Sequence, residues 1–336
     1  MDPESLAALH EALLCWFGAH RRPLAFRADR RAYPVLVAEF MLQQTRAEVV
    51  GPYLERFLRR FPDVPTLAAA DEQEVLALWR GLGYYQRARN LHRAARQMRL
   101  QHDGGVPAQP AALRALPGVG PYIAGAVGAF AFGRDEAALD ANARRVLSRL
   151  FDREAGAALA QAAVPPGRAA AWNEALMDLG SAVCLPRRPR CGLCPLRALC
   201  RGRASGRAEA LPARPARPPR PELEVTTLLL RDAQGRFALL QRPACGLLAG
   251  MWELPSLPAA VEAPAVAVAL GLRLIGAATA LPGFRHVFTH RVWNVRPFAA
   301  LGSGPARWVS AAELGGVPLA GPSARLVAGA APDPAN

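Results

Sequence analysis

Residues Leu113–Val127 read Leu-Arg-Ala-Leu-Pro-Gly-Val-Gly-Pro-Tyr-Ile-Ala-Gly-Ala-Val, and this stretch determines the fold we expect for the first part of the chain. It predicts the end of one helix, a tight turn containing Gly118 and Gly120, and the start of a second helix. Glycines permit positive φ and the close approach of a ligand to the backbone. The second helix begins with free N–H groups at the positive end of its dipole, so the turn can hold a phosphate.

Charge points to a polyanion as the partner of this turn. The 336 residues carry a formal net charge of +14, and every basic side chain other than histidine is arginine, because the chain has no lysine. Residues 1–221 hold 32 arginines against 20 acidic residues, and residues 222–336 hold 9 against 7. With the turn, this predicts the helix-hairpin-helix pattern of sequence-independent DNA binding. A plain corner between two helices on an arginine-rich surface is the alternative.

Length and composition predict two domains in a globular chain. Apolar positions recur at three- and four-residue steps in the first two hundred residues, which predicts helices. A basic, proline-rich linker follows at 204–221, and then short strands at 224–230, 236–241 and 292–298. We therefore expect a helical domain at 1–203 and a mixed domain at 222–336, whose tail after Pro322 frays. No apolar run is long enough to span a membrane, so we expect a cytoplasmic protein.

Four cysteines form a cluster with the spacing C-x6-C-x2-C-x5-C, at Cys184, Cys191, Cys194 and Cys200. In a reducing compartment, four thiolates within seventeen residues are typical of a metal site. Zinc and an iron–sulfur cluster both accept four cysteines, and the spacing alone does not separate them. The surrounding arginines would face a phosphate backbone.

The order of these features carries a resemblance to a known family. Asp140 follows the hairpin and begins an amphipathic helix, where a lone aspartate is ordinarily an N-cap, and the cysteine loop comes next. This order resembles the endonuclease III superfamily of DNA glycosylases. Within it, the runs Glu39–Arg46 and Gly81–Arg87 resemble MutY-type adenine DNA glycosylases, and the resemblance covers essentially the whole chain. It implies an all-α helix-hairpin-helix glycosylase domain with a 4Fe–4S loop at 184–200, followed by an α+β Nudix-like domain.

The resemblance also implies a reaction, which is hydrolysis of the N-glycosidic bond of adenine mispaired with 8-oxoguanine or guanine in duplex DNA. Tyr122 stands where the glycosylase/lyases of the superfamily have a lysine, and the absence of lysine excludes a lysine-based lyase. Glu39 matches the general acid, and its apolar neighbours would desolvate it. Asp140 matches the group that stabilises the oxocarbenium ion. Tyr122 and Asn142 match supporting positions.

Further residues match positions that read the bases once the adenine has left the stack. Gln44, Tyr84 and Leu82 match residues that fill the gap or form a wedge beside the estranged base. Arg27 and Glu174 match the lining of the adenine pocket, although ordinary core residues or a surface ion pair would give the same pattern.

The second domain matches the family's reader of 8-oxoguanine at Phe288, Thr289 and His290, with threonine where serine is usual. An isolated surface histidine is the alternative for His290. The acidic metal box of Nudix hydrolases is absent after Gly250. Without those carboxylates the domain cannot hold the Mg²⁺ that Nudix hydrolysis uses.

We therefore expect a monofunctional, monomeric adenine DNA glycosylase of base-excision repair, acting at the bacterial nucleoid. An endonuclease III-like enzyme acting on oxidised pyrimidines is the first alternative. A catalytically silent damage-binding protein is the second, and the presence of both Glu39 and Asp140 argues against it.

Overall fold

The computed structural model describes residues 2–213 and 218–330, and its chain divides into two compact units. One unit comprises residues 1–70 and 86–216, and the other comprises residues 71–85 and 217–336. The predicted linker at 204–221 thus spans the division, and its residues 214–217 lie outside the described residues, as do residues 331–336 of the second predicted domain.

The first unit is helical. Its helices are α1 (Pro3–His20), α2 (Ala32–Leu42), α3 (Ala47–Arg60), α4 (Val64–Ala69), α6 (Gln86–Gln101), α7 (Pro110–Arg114), α8 (Pro121–Phe132), α9 (Ala141–Phe151), α10 (Ala157–Ala162), α11 (Ala169–Ala182) and α12 (Arg201–Ala204), with short 3-10 helices at Ala25–Arg27 and Cys191–Leu193. Helix α5 (Glu72–Leu78) lies in the segment that groups with the second unit. None of the helices in the described ranges has both the length and the apolar content needed to cross a membrane.

Two packing arrangements position the helices that carry the predicted site residues. Helix α2 is buried along Tyr33–Met41, so it is a central helix of the unit rather than a surface helix. Helices α1, α9 and α11 enclose a second core of mostly aliphatic side chains around Trp172. Helix α8 packs on α2 and α11. The starts of α8 and α9 and the middle of α2 therefore belong to one rigid framework.

The second unit is built on a mixed sheet. Its strands are β1 (Glu222–Arg231), β2 (Phe237–Gln241), β3 (Trp252–Glu253), β4 (Ser256–Leu257), β5 (Arg273–Ala280), β6 (Phe284–Val287), β7 (Val292–Ser303) and β8 (Arg307–Val309). Strands β1 and β7 pair in parallel along their length, and the pairs β1–β2, β5–β7 and β6–β7 are antiparallel. Helices α13 (Ala263–Ala269) and α14 (Gly321–Ala330) and a 3-10 helix at Glu313–Gly316 complete the unit.

A helical domain followed by a mixed one is thus confirmed. The expectation for the tail is wrong up to residue 330, because α14 begins at Gly321, and its Val327 packs into the core beside Leu229 and Phe237. Part of the predicted linker is also anchored. The carbonyl of Leu211 accepts a hydrogen bond of 2.9 Å from the buried guanidinium of Arg149. Composition alone does not show such contacts, because they depend on which side chains the fold brings near.

Candidate active site

The centre of the site is Glu39, on the buried helix α2. Its side chain is 4% exposed. The pKa of Glu39 is raised to about 7: burial raises it most, the hydrogen bond from Tyr122 lowers it, and the charges of Asp140 and Glu174 raise it. The end of α2 is held by the guanidinium of Arg87, which donates to the carbonyls of Phe40 and Met41. This carboxyl group can therefore be protonated near neutral pH.

Tyr122 reaches Glu39 from the start of α8. Its hydroxyl donates to Oε2 of Glu39 at 2.7 Å. Burial and the neighbouring carboxylates raise the pKa of Tyr122 well above its ordinary value, so the hydroxyl keeps its proton. The predicted hairpin is thereby linked to the predicted acid by a direct contact.

The hairpin uses its two glycines in different ways. Gly118 has φ +79°, and a Cβ there would lie 2.6 Å from the Cβ of Asn90. Gly120 is the N-cap of α8 with φ −86°, and a Cβ there would meet nothing within 4 Å. The expectation of positive φ therefore holds for Gly118 only, while the open space at Gly120 is what the approach of a ligand requires.

Asp140 is the N-cap of α9. Its Oδ1 accepts from the backbone N–H of Ala143 at 2.6 Å, and its Oδ2 accepts from Nδ2 of Asn142 at 3.0 Å. Burial raises the pKa of Asp140, and these two donors oppose that effect. Asn142 in turn accepts from Arg145 at 2.8 Å, and Arg145 also donates to the backbone carbonyl of Cys184 at 2.8 Å. A continuous hydrogen-bonded path thus leads from Asp140 to the cysteine loop.

Beside this centre lies a buried ionic network. Arg27 and Glu174 are 8% and 4% exposed, and Nε of Arg27 lies 3.3 Å from Oε1 of Glu174. Arg27 also forms two hydrogen bonds of 2.8 Å to Asp178, and Arg30 donates to Glu174 at 2.7 Å. The structure brings the two predicted pocket residues together, and both act electrostatically on Glu39.

Sequence reasoning missed Arg30, Asp178 and Arg87. The available signal for Asp178 was its position four residues after Glu174, which places both carboxylates on one face of α11. No comparable signal identified Arg87.

Of the predicted gap-filling residues, Gln44 belongs to the first unit, and Leu82 and Tyr84 belong to the second. Gln44 follows α2 with φ +57°, and Tyr84 has φ +49°. Left-handed backbone at a residue other than glycine is uncommon and often marks a functional position. Leu82 is 6% exposed, whereas Tyr84 is 46% exposed. Of the two, only Tyr84 presents a large side chain to solvent.

The predicted reader residues lie in the second unit, between β6 and β7. Phe288 packs edge-on against His286 and Trp293, with ring centroids 4.6 and 5.1 Å away. Thr289 and His290 are exposed. The hydroxyls of Thr289 and Tyr84 are 2.9 Å apart, within the same unit. His286 was not identified from the sequence, although its position two residues before Phe288 on a strand placed it on the same face.

Of the four cysteines, Cys184 follows the end of α11, Cys191 and Cys194 lie at the two ends of the 3-10 helix, and Cys200 is the N-cap of α12. The pKa of Cys194 is raised to about 11, mainly by burial and in addition by the other three thiols. Arg149 donates to Sγ of Cys184 at 3.3 Å. Among the described residues no group of three or more His, Cys, Asp or Glu side chains is arranged around a single metal ion. Four neighbouring thiols are nevertheless a donor set that suits an iron–sulfur cluster.

Comparison with known proteins gives matches over both units. Residues 37–161 match the family model described as "HhH-GPD superfamily base excision DNA repair protein", and residues 226–329 match the model of the NUDIX domain. Among solved structures, a thermostable thymine-DNA glycosylase matches with TM-score 0.57 and 29% identity, covering 60% of this chain and 98% of that one. An endonuclease III–DNA complex matches with TM-score 0.55 and 22% identity, covering 61% and 98%, which shows a shared fold.

Several curated relatives are named adenine DNA glycosylase. One from Mycolicibacterium smegmatis is 40% identical over 203 residues, covering 58% of this chain and 69% of that relative. Those from Rattus norvegicus and Homo sapiens are 35% and 34% identical, covering 76% of this chain each. This chain spans 61% of the rat protein and 58% of the human one.

Proposed function

Because the chain belongs to the adenine DNA glycosylase family, we propose that it is a monofunctional DNA glycosylase that hydrolyses the N-glycosidic bond of adenine opposite 8-oxoguanine or guanine in duplex DNA. The observation that carries this proposal is the pKa of about 7 at buried Glu39, whose Oε2 accepts the hydroxyl of Tyr122 at 2.7 Å. A carboxylic acid that is half protonated at neutral pH suits the protonation of a departing purine.

The reaction breaks the bond between C1′ of the sugar and N9 of adenine, and the oxygen of water forms the new bond to C1′. Glu39 gives its proton to a ring nitrogen of the adenine and afterwards takes a proton from the attacking water, so the acid is regenerated. Asp140 faces the positive charge that develops on the sugar. Its two N–H donors favour the charged form that this role requires.

Tyr122 and Asn142 have supporting roles in the proposal. The hydroxyl of Tyr122 fixes the direction in which Glu39 points, and Asn142 does the same for Asp140. Neither residue can act as an amine nucleophile, and the chain contains no lysine. We therefore propose that the product is an unbroken strand with an abasic site.

Binding needs the adenine to leave the stack. We propose that the hairpin at Gly118 and Gly120 holds a phosphate, and that Arg27 and Glu174 line the pocket for the extruded adenine. Gln44, Tyr84 and Leu82 would occupy or border the vacated space. Phe288, Thr289 and His290 would read the opposite base, in keeping with the match to the NUDIX domain model at 226–329.

Cys184, Cys191, Cys194 and Cys200 would hold one 4Fe–4S cluster, as kinship with the endonuclease III fold suggests. The cluster would tie the loop after α11 into a fixed shape and supply no step of base excision. Iron and sulfide assays are expected to find about four of each per chain. One zinc ion per chain with no sulfide would contradict this part of the proposal.

Domain boundaries at 203 and 222, a monomeric state and action at the bacterial nucleoid also belong to the proposal. The site and its substrate require no second copy, and chromosomal DNA is where the substrate occurs. The chemical test comes first, because the remaining points depend on it.

The test is a single-turnover incubation with duplexes that carry adenine opposite 8-oxoguanine, adenine opposite guanine, or an oxidised pyrimidine. Each sample is divided, and one half receives hot alkali. Strand breaks at adenine only after alkali are expected. Breaks at the pyrimidine would instead indicate an endonuclease III-like enzyme, and binding without any cleavage would indicate a damage-binding protein.

A further inference from the structure

The segment between α8 and α9 delivers Asp140 to the site without any helix or strand of its own. Residues 133–140 have no regular secondary structure. Within the segment, backbone hydrogen bonds join Glu136 to Arg134 and Asp140 to Ala138. Its position must therefore come mainly from side chains of the surrounding helices, because an irregular backbone has few internal bonds to define it.

Asn173 on α11 forms two hydrogen bonds to the backbone of this segment on its buried side. Its Oδ1 accepts from the backbone N–H of Ala138 at 3.0 Å, and its Nδ2 donates to the carbonyl of Glu136 at 2.8 Å. Asn173 and Ala138 are each 1% exposed. No water can replace these bonds without a change in packing.

Gln161 on α10 repeats the pattern one residue earlier. Its Oε1 accepts from the N–H of Ala137 at 3.1 Å, and its Nε2 donates to the carbonyl of Asp135 at 2.7 Å. Gln161 is exposed. In both cases one carboxamide joins the N–H of a residue to the carbonyl two residues before it.

The two carboxamides accept from the N–H groups of the consecutive residues Ala137 and Ala138, and they come from different helices, α10 and α11. Residues 135–138 are therefore held from two helices. Helix α8 closes a third side, because a Cβ at Gly125 would clash with the carbonyl of Ala137. The segment ends two residues later, at Asp140.

We infer that Asn173 and Gln161 form a two-sided carboxamide clamp that sets the position of Asp140 relative to Glu39 and Tyr122. They are positioning residues that touch neither the substrate nor the reacting atoms. What Asp140 does there rests on the proposed function, whereas the clamp itself rests on the four hydrogen bonds. Their loss should have unequal effects, because water can replace the exposed Gln161 but not the buried Asn173.

The experiment compares Asn173→Ala with Gln161→Ala in the full-length protein. It measures the single-turnover rate of adenine release, the affinity for a duplex with an uncleavable adenine analogue, and residue-resolved hydrogen exchange. Asn173→Ala is expected to lower the rate at least about tenfold, since displacements near 1 Å at a reacting group have effects of that size or larger. Affinity should stay within about threefold, and exchange should accelerate at Ala138.

Gln161→Ala is the matched comparison: its rate should fall, but by no more than about threefold because water replaces the lost bonds, with faster exchange at Ala137 alone. An unchanged rate in Asn173→Ala despite faster exchange at Ala138 would overturn the positioning role. Equal losses of rate and affinity, with faster exchange throughout α8–α11, would do the same.

Two further outcomes are informative. If Asn173→Ala does not fold, Gln161→Ala still decides, because continued protection of Ala137 in that variant would show that no clamp exists. If the unchanged protein releases no adenine, the proposed function fails, and hydrogen exchange alone then tests the clamp.

Discussion

Glu39 and His290 represent two kinds of predicted site in one chain. Glu39 is 4% exposed, and its surroundings raise its pKa to about 7. His290 is exposed on the turn between β6 and β7. The helical unit has therefore already paired and tuned the groups of its site before any ligand binds. In the turn at 288–290 the ring of Phe288 is packed against two other rings, whereas the side chains of Thr289 and His290 are exposed.

The two sites differ in how their side chains affect the free energy of folding. Burying an acid beside two further carboxylates destabilises the fold, and that cost is present in the free protein. An exposed histidine and threonine have no such cost. Substitutions in the first site should therefore change both stability and chemistry, whereas those in the second should change only preference among ligands.

The largest effect is expected for Asp140→Asn. It keeps the N-cap hydrogen bond but removes the negative charge that the proposed mechanism places opposite the sugar, so the single-turnover rate should fall by about three orders of magnitude while duplex binding persists. Asp152→Asn is the matched control at the other end of α9, where Asp152 caps the helix with φ +55°. Rapid turnover by Asp140→Asn would remove Asp140 from the chemistry.

Next comes the stability of Glu39→Gln. A carboxyl whose pKa rises from 4.5 when unfolded to about 7 when folded stabilises the fold fully below pH 4.5, and this stabilisation is lost as pH rises to about 7. Relative to the unchanged protein, the free energy of unfolding of Glu39→Gln should therefore rise by about 3 kcal/mol as the pH increases from 4.5 to about 7. Urea unfolding of both proteins near pH 5 and near pH 8, followed by far-UV circular dichroism, measures the change. If the difference in unfolding free energy between the two proteins does not vary with pH, the fold does not shift the pKa of Glu39.

A pair of glycine substitutions examines the hairpin. Gly118→Ala meets both positive φ and the side chain of Asn90, so it should lower the free energy of unfolding by about 1–3 kcal/mol. Gly120→Ala meets neither obstacle and should stay within about 0.5 kcal/mol. If a phosphate approaches the backbone at this turn, Gly120→Ala should still weaken duplex binding. Unchanged binding by a stable Gly120→Ala protein would argue against a phosphate contact there.

Tyr122→Phe should move the pH dependence of the rate. The hydrogen bond from Tyr122 lowers the pKa of Glu39, so its removal raises that pKa. The decline in single-turnover rate above neutral pH should then begin at a higher pH in the variant, even though its maximal rate falls. Tyr33→Phe is a suitable control, because the hydroxyl of Tyr33 donates to the backbone carbonyl of Phe61 instead. A shift to lower pH would contradict the assignment of Glu39 as the acid.

The helical site could be predicted from sequence to the extent that its features are local. The glycine turn, the apolar flanks of Glu39 and the N-cap position of Asp140 can each be identified within about ten residues, and the structure has all three. Partners distant in sequence could not be found in this way. Asp178 pairs with Arg27 across 151 positions, and Asn173 holds Ala138 across 35. Such pairs depend on how α11 packs, which no local pattern encodes.

In the second unit, local sequence predicted the main strands but failed to predict the last helix. The strands β1, β2 and β7 were predicted as short apolar runs beside a turn; β1 and β2 lie close to their predicted bounds, and β7 continues beyond its predicted end at Phe298 to Ser303. The helix α14 was not, because a run of alanine, glycine and proline resembles a frayed end unless its docking site is known. Burial of Val327 beside Phe237 supplies the stabilisation that the local sequence does not indicate.

The smallest expected effect lies in the exposed turn, at Thr289. Its hydroxyl is 2.9 Å from that of Tyr84, and its carbonyl accepts from Arg220 at 3.1 Å. Thr289→Val removes the hydroxyl at nearly constant shape, whereas Thr289→Ser removes only the methyl group. Loss of one hydrogen bond should lower the preference for 8-oxoguanine over guanine opposite adenine about threefold in Thr289→Val, with Thr289→Ser within about twofold. Competition between the two duplexes measures the preference. Equal preference in all three proteins would show that the hydroxyl reads nothing, and that the aromatic face of Phe288 and the imidazole of His290 must account for any discrimination by this turn.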